Sequence, residues 1–178
     1  MTNALEVAGY IMKTAGTNGN TQLNKLVYYC QAWSLVWTGR PLFSDPIEAW
    51  KDGPVVRAVY REGTHGQIPT DASLTDDQMK IVNSVVAFYS NKSGAELSSL
   101  THSEDPWVEA RGGLPSAAQS QSPISRRTML TYYTRATVDK ETPLCPSLGV
   151  TANAASVAEV GRRQRIRWRE ALDVLAVQ

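Results

Sequence analysis

The sequence predicts a mainly α fold: a compact helical domain with a minor short β element, then a linker and a C-terminal helix. Apolar residues recur at three- and four-residue spacing through most of the chain up to Ala136. Three of these stretches open on a capping signal, Asn3 with Glu6, Thr75 with Gln78 and Ser93 with Glu96, in which the first residue accepts a free first-turn amide and the second reaches back. Only Ile47 to Lys51, confined between Pro46 and Gly53, is too short for a helix and reads as extended, one strand of a small ribbon.

The first helix is expected from about Ala4 to Ala15, with Leu5, Ala8 and Met12 on its apolar face and Gly16 as its break. Thr21 is expected to cap a second helix that ends near Gly39. Leu23, Leu26, Val27, Cys30, Trp33 and Trp37 keep its rhythm, while Tyr28, Tyr29 and Leu35 fall on other faces, so the helix is apolar nearly all round and belongs in the middle of the fold. Asp52-Gly53-Pro54 reads as a helix start with Pro54 at the first helical position, where its missing amide costs nothing. That short helix has Val55, Val56, Val59 and Tyr60 on its apolar side and ends at Gly63 and Gly66. Further helices follow at Met79 to Tyr89, around Leu97 and Leu100, from Asp105-Pro106 to Arg111, and from Ser125 to Ala136 with Met129, Leu130 and Tyr133 on one side. The Gly-Gly pair and the stretch Ser116 to Ser122 read as a flexible loop. Residues 137–153 carry prolines, a glycine and no period, which marks a linker between a domain at 1–136 and a basic helix at 154–178.

Composition narrows the function classes. A chain of 178 residues with 42% hydrophobic content can bury a real core. Its net charge of +1, from 18 basic and 17 acidic residues, creates no global field toward nucleic acid or an anionic membrane. Cys30 and Cys145 lie far apart in unlike settings and do not form a secreted disulfide framework. No segment approaches the roughly 20 apolar residues needed to cross a bilayer, and the expected compartment is the reducing cytoplasm.

The catalytic inventory is poor, and neither an enzyme, a metal nor a cofactor is expected. His65 sits in a Gly-rich loop. His102 and Asp105 could enter a serine triad, but triads are set by geometry, and His102 reads better as a turn residue with a structural hydrogen bond. No Cys-x-x-Cys, His-Glu-x-x-His or Gly-Lys-Ser/Thr phosphate loop appears.

The residues that suit partner binding fall in two groups. Glu48 and Lys51 flank Trp50 in the extended segment, either as a partner-facing patch or as a surface edge with the indole folded inward. Arg57, Tyr60 and Arg61 follow on the next helix. In the C-terminal helix Glu159 with Arg163 and Arg169 with Asp173 stand four apart as ordinary pairs, which leaves Arg162, Arg165 and Arg167 beside Trp168. Arginines interleaved with tryptophan suit a protein hot spot, a solvated face or a phosphate-contacting helix, and the residues alone leave the three readings open.

A chain of motifs then resembles a known family. Leu23-Asn24-Lys25-Leu26-Val27-Tyr28-Tyr29, Gln31-Ala32-Trp33, Gly39-Arg40-Pro41-Leu42-Phe43, Ile47-Glu48-Ala49-Trp50, Gly53-Pro54-Val55-Val56 and Tyr60 stand in an order and spacing similar to the Panacea domain of SocA-like and GepA-like proteins. Leu100-Thr101-His102, Pro106-Trp107 and Ala110-Arg111 resemble its later segment. The resemblance spans about Leu5 to Ala136 and implies an antitoxin of a bacterial, phage or prophage toxin-antitoxin system, which neutralises a cognate protein toxin by direct binding. It also implies two variants of partner: a toxic nucleotide-transferring enzyme related to alarmone synthetases, and a Clp protease to which an adaptor delivers the toxin. A DNA-binding autoregulator is the rival outside protein binding, although nucleic acid is not the expected partner. The resemblance brings no catalytic residues, and it does not reach the segment from Thr137 to Gln178.

Overall fold

Seven helices and one two-stranded ribbon make up the computed structural model, which describes residues 2–71 and 73–149. The helix expected at 154–178, with Arg162, Arg165, Arg167 and Trp168, lies outside the described residues. Helix α1 spans Ala4–Thr14, α2 Asn20–Thr38, α3 Arg57–His65, α4 Asp76–Tyr89, α5 Gly94–His102, α6 Asp105–Arg111 and α7 Arg126–Asp139. Strands β1, Glu48–Trp50, and β2, Gly53–Val55, form the ribbon. The fold is mainly α.

All three capping boxes form as the spacing predicts, with Asn3, Thr75 and Ser93 accepting from the amides of Glu6, Gln78 and Glu96. At α2 the cap differs from expectation. Gly19 is the cap residue and has no side-chain bond. Asn20, one residue in, sends its amide to the Tyr60 carbonyl and the Thr64 hydroxyl on α3. The N-terminus of α2 is therefore held by a tertiary contact and not by Thr21.

Helix α2 is buried without interruption from Gln22 to Leu35 and packs against α1, α3, α4, α5, α7 and β2. Its apolar residues make the centre of the core, including Leu26, Val27, Tyr28, Tyr29 and Trp33. Its buried polar residues pin the surrounding loops, because a polar group hidden from water must be bonded to the protein. Gln22 holds the Ser90 and Lys92 carbonyls, Gln31 brackets Leu42 and Phe43, and Ser34 takes the Arg40 carbonyl. Gly39 ends the helix in the left-handed conformation, as expected.

On α1 the buried face is Ala4, Val7, Ala8 and Ile11, whereas Leu5 is half-buried and Met12 exposed. The apolar stripe is thus rotated from the one expected. Helix α3 runs through Gly63 and stops at Gly66. Helix α7 continues to Asp139, Pro143 beyond it is buried, and the Ser84 hydroxyl on α4 bonds the Leu144 carbonyl. Among the described residues, no helix is long and apolar enough to cross a membrane.

Candidate partner-binding face

The sequence reading of Gly53-Pro54 as a helix start is corrected. Glu48 pairs with Val55, Ala49 with Pro54 and Trp50 with Gly53, so Lys51 and Asp52 form a two-residue hairpin loop and α3 begins only at Arg57. The proline fits because its partner Ala49 directs its own amide away, to the Ser122 carbonyl at 2.8 Å. An amide at position 54 would have faced outward from the ribbon, so none is missed there.

The hairpin is seated on donors that come from distant elements. Lys25 Nζ reaches the Pro54 carbonyl at 3.3 Å and Trp107 Nε1 the Trp50 carbonyl at 2.8 Å. Arg111 Nη1 reaches the Ala49 carbonyl at 3.3 Å, and the Ser98 hydroxyl takes the Asp52 carbonyl at 2.9 Å. On the strand's far end the Val56 amide donates to Asn24 Oδ1. The same Arg111 ties down the next loop through the carbonyls of Pro115, Ser116 and Ala118. Ile124 closes it by donating to the Ile47 carbonyl. The stretch expected to be a flexible loop is therefore anchored beside β1.

Gly53 has φ +102, which L side chains rarely adopt, and a Cβ there would stand 2.6 Å from Lys25 Cε and 2.8 Å from Thr101 Oγ1. Only glycine fits so close to the lysine. Burial lowers Lys25 to about 8, with Asp52 acting against it. His102, the last residue of α5, stacks on Trp107 at 4.2 Å. Its pKa is lowered, first by burial and then by Lys25, while a hydrogen bond to the Lys51 backbone opposes both. His102 Nε2 has no hydrogen-bond partner among the described residues. Three or more His, Cys, Asp or Glu side chains do not gather as a metal group among those residues.

On the outer side of the hairpin the structure brings together most of the sequence-selected residues. Glu48 accepts Trp50 Nε1 at 2.6 Å and holds Arg57 through both carboxylate oxygens, at 3.0 and 2.9 Å. The Trp50 and Tyr60 rings meet at 5.0 Å, and the Arg57 guanidinium lies 6.0 Å from the Trp50 centroid. Trp50 is half-buried and Tyr60 is 43% exposed, so the pair offers apolar area at the surface. Arg61 stands one turn further along α3, paired with Glu62, and Lys51 is exposed in the hairpin loop. A half-buried indole held by a carboxylate, next to an exposed phenol and a fixed guanidinium, has the make-up of a protein contact.

A second cluster is not visible at the sequence level. Glu104, the cap residue of α6, is buried and accepts the hydroxyls of Tyr133 at 2.5 Å and Tyr29 at 3.2 Å, and Tyr133 also bonds Tyr28. Burial raises the Glu104 carboxyl to about 7 against the pull of those hydroxyls. The tyrosines read only as core because the acid that joins them is 75 residues from Tyr29.

Residues 23–108 match the family model described as antitoxin SocA-like, Panacea domain. Over that stretch the chain is similar to the Panacea domain. Searches of curated proteins and of solved structures give no match. The Panacea match begins within α2, takes in the hairpin, α3, α4 and α5, and ends within α6. It therefore contains Lys25, Ser98, His102 and Trp107, which hold the hairpin, together with every residue of the outer face. Arg111 and the loop it fastens follow the matched stretch.

Proposed function

We propose that this chain is the antitoxin of a toxin-antitoxin pair and neutralises a cognate protein toxin by direct, stoichiometric binding, without chemistry of its own. The observation that carries the reading is the Panacea match over a hairpin whose backbone is tied down from beneath while Glu48, Trp50, Lys51, Arg57, Tyr60 and Arg61 face outward. An inhibitor loses less entropy on binding when its contact residues are already held in place. Trp50 and Tyr60 serve as the anchor, with the charged residues as its rim. We propose that the domain extends past residue 136 to the end of α7 at Asp139, that a linker then leads to a basic helix over 154–178, and that Arg162, Arg165, Arg167 and Trp168 form a second toxin contact.

Co-expression tests the reading. The protein encoded beside this gene should stop growth when made alone, and this chain should restore growth while forming a complex that survives co-purification. A harmless neighbour would sink the antitoxin assignment. Rescue without a complex, but with loss of the toxin that depends on a Clp protease, would replace inhibition by delivery.

A further inference from the structure

A cavity of about 190 Å³ opens between α4, α5 and α7, and Glu104 lies among its lining residues. We propose that it is a binding site for a cation-headed chain, a primary ammonium or guanidinium group on a short alkyl stem. Part of the wall is aromatic and aliphatic, with Tyr29 and Tyr89 stacked at 4.0 Å and Phe88, Tyr132 and Leu100 beside them, and Ser103 and Glu141 add polar lining. Ring faces attract a cation electrostatically, most strongly where water is thin. The lining carboxyl of Glu104 is 8% exposed and held by tyrosine hydroxyls, and no lysine or arginine lies at ion-pair distance from it among the described residues. A buried acid with hydroxyl partners and no lysine or arginine at ion-pair distance holds its proton, and a cation seated beside it would favour the charged carboxylate.

The chain itself shows what the rim attracts. Lys140 Nζ lies 5.1 Å over the Tyr132 ring and donates to its hydroxyl at 2.8 Å. Lys140 is an exposed residue at the end of α7, so it can swing aside for a ligand bearing the same head. An anion would find Lys92 and Lys140 at the mouth, but it would then have to lie near Glu104 and against ring faces that repel it. Size narrows the class further. The cavity holds about six water volumes, enough for a four-carbon stem and its head and too small for a drug-sized ligand.

The test is a titration of the full chain with n-butylguanidinium chloride, followed by aromatic and methyl NMR resonances. Sodium butyrate and 1-butanol serve as the anionic and neutral counterparts. Saturable shifts at Phe88, Leu100 and Tyr132 are expected with the cation alone. Lys140→Met should tighten binding and Tyr132→Leu should weaken it, each by about three- to tenfold. Lys140 lies at the exposed rim, whereas the Tyr132 ring meets Tyr133 edge-on at 5.1 Å, so a melting curve beside the titration must show Tyr132→Leu folded. Absence of saturable shifts, equal response to butyrate or butanol, or unchanged affinity in both variants would overturn the proposal. Where the cation binds, its source is separated by adding n-butylguanidinium to a complex with the protein partner: a weakened complex assigns the head to a lysine or arginine of that partner, and an unaffected one assigns it to a free alkylamine. The titration needs no toxin, so its failure is separate from failure of the antitoxin reading.

Discussion

Placing a methyl group at Gly53 tests how the hairpin is held. Its φ of +102 would cost an alanine about 1–3 kcal/mol in backbone strain. The new Cβ would also stand 2.6 Å from Lys25 Cε, 2.8 Å from Thr101 Oγ1 and 2.9 Å from Lys25 Nζ, in a place where both side chains are buried. Crowding of that kind costs a further ~1–3 kcal/mol. The total, about 2–6 kcal/mol, is a large part of the roughly 5–15 kcal/mol that keeps a domain folded. Gly16 supplies the control, since it has φ +65 and a methyl group added there would meet nothing within 4 Å. Gly16→Ala should cost only about 1–2 kcal/mol. Urea unfolding of both variants at neutral pH gives the two losses, and adding Lys25→Ala to Gly53→Ala should recover about 0.5–3 kcal/mol as coupling. Equal losses at the two glycines, or no coupling to Lys25, would refute the claim that the lysine and the hairpin turn are fitted to each other.

Other expectations follow from the same geometry. Glu104 has its folded pKa raised from 4.5 to about 7, so the fold binds its proton more tightly than the unfolded chain does. The stability linked to that proton is complete below about pH 4.5 and is lost as pH rises through about 7, a change on the order of 3 kcal/mol. Glu104→Gln should remove this part of the pH dependence in urea melts at about pH 5 and 8, and parallel profiles for the two proteins would contradict the assignment. Arg57→Ala breaks an ion pair whose arginine is 56% exposed, so stability should change by less than about 1 kcal/mol while toxin affinity drops. A melting curve beside a binding isotherm separates the two effects. His102→Ala removes a stacked ring from Trp107 and should lower the melting temperature, yet a folded variant should still rescue growth. Loss of rescue with folding and binding intact would reopen catalysis.

The parts of the fold that are legible in the sequence are those decided within a few residues. Asn3, Thr75 and Ser93 cap their helices through partners three positions away, and the all-round apolar character of α2 identifies the central helix without reference to its neighbours. Gly53-Pro54 is misread because proline at a helix start and proline opposite an outward-turned strand residue look alike locally. What decides between them is a set of donors on Lys25, Ser98, Trp107 and Arg111, 29 to 62 residues away along the chain from the carbonyls they hold. The loop after α6 illustrates the same limit, since its small polar residues give no sign that one arginine holds three of its carbonyls. On the outer face, charge and aromatic content single out Glu48, Trp50, Arg57 and Tyr60, but their meeting depends on the turn that brings β2 back along β1 before α3 begins.

Direct binding at this face is tested by titration calorimetry of this chain against the protein encoded beside it, run for the native sequence and for Trp50→Ala with Tyr60→Ala. A saturable stoichiometric complex is expected for the native chain. The double variant should bind at least tenfold more weakly, since anchor residues contribute about 2 kcal/mol or more each when truncated. Far-UV circular dichroism should show both proteins equally folded. A toxin that binds both chains with the same affinity would contradict the proposed face, and a toxin that binds neither would contradict neutralisation by direct contact.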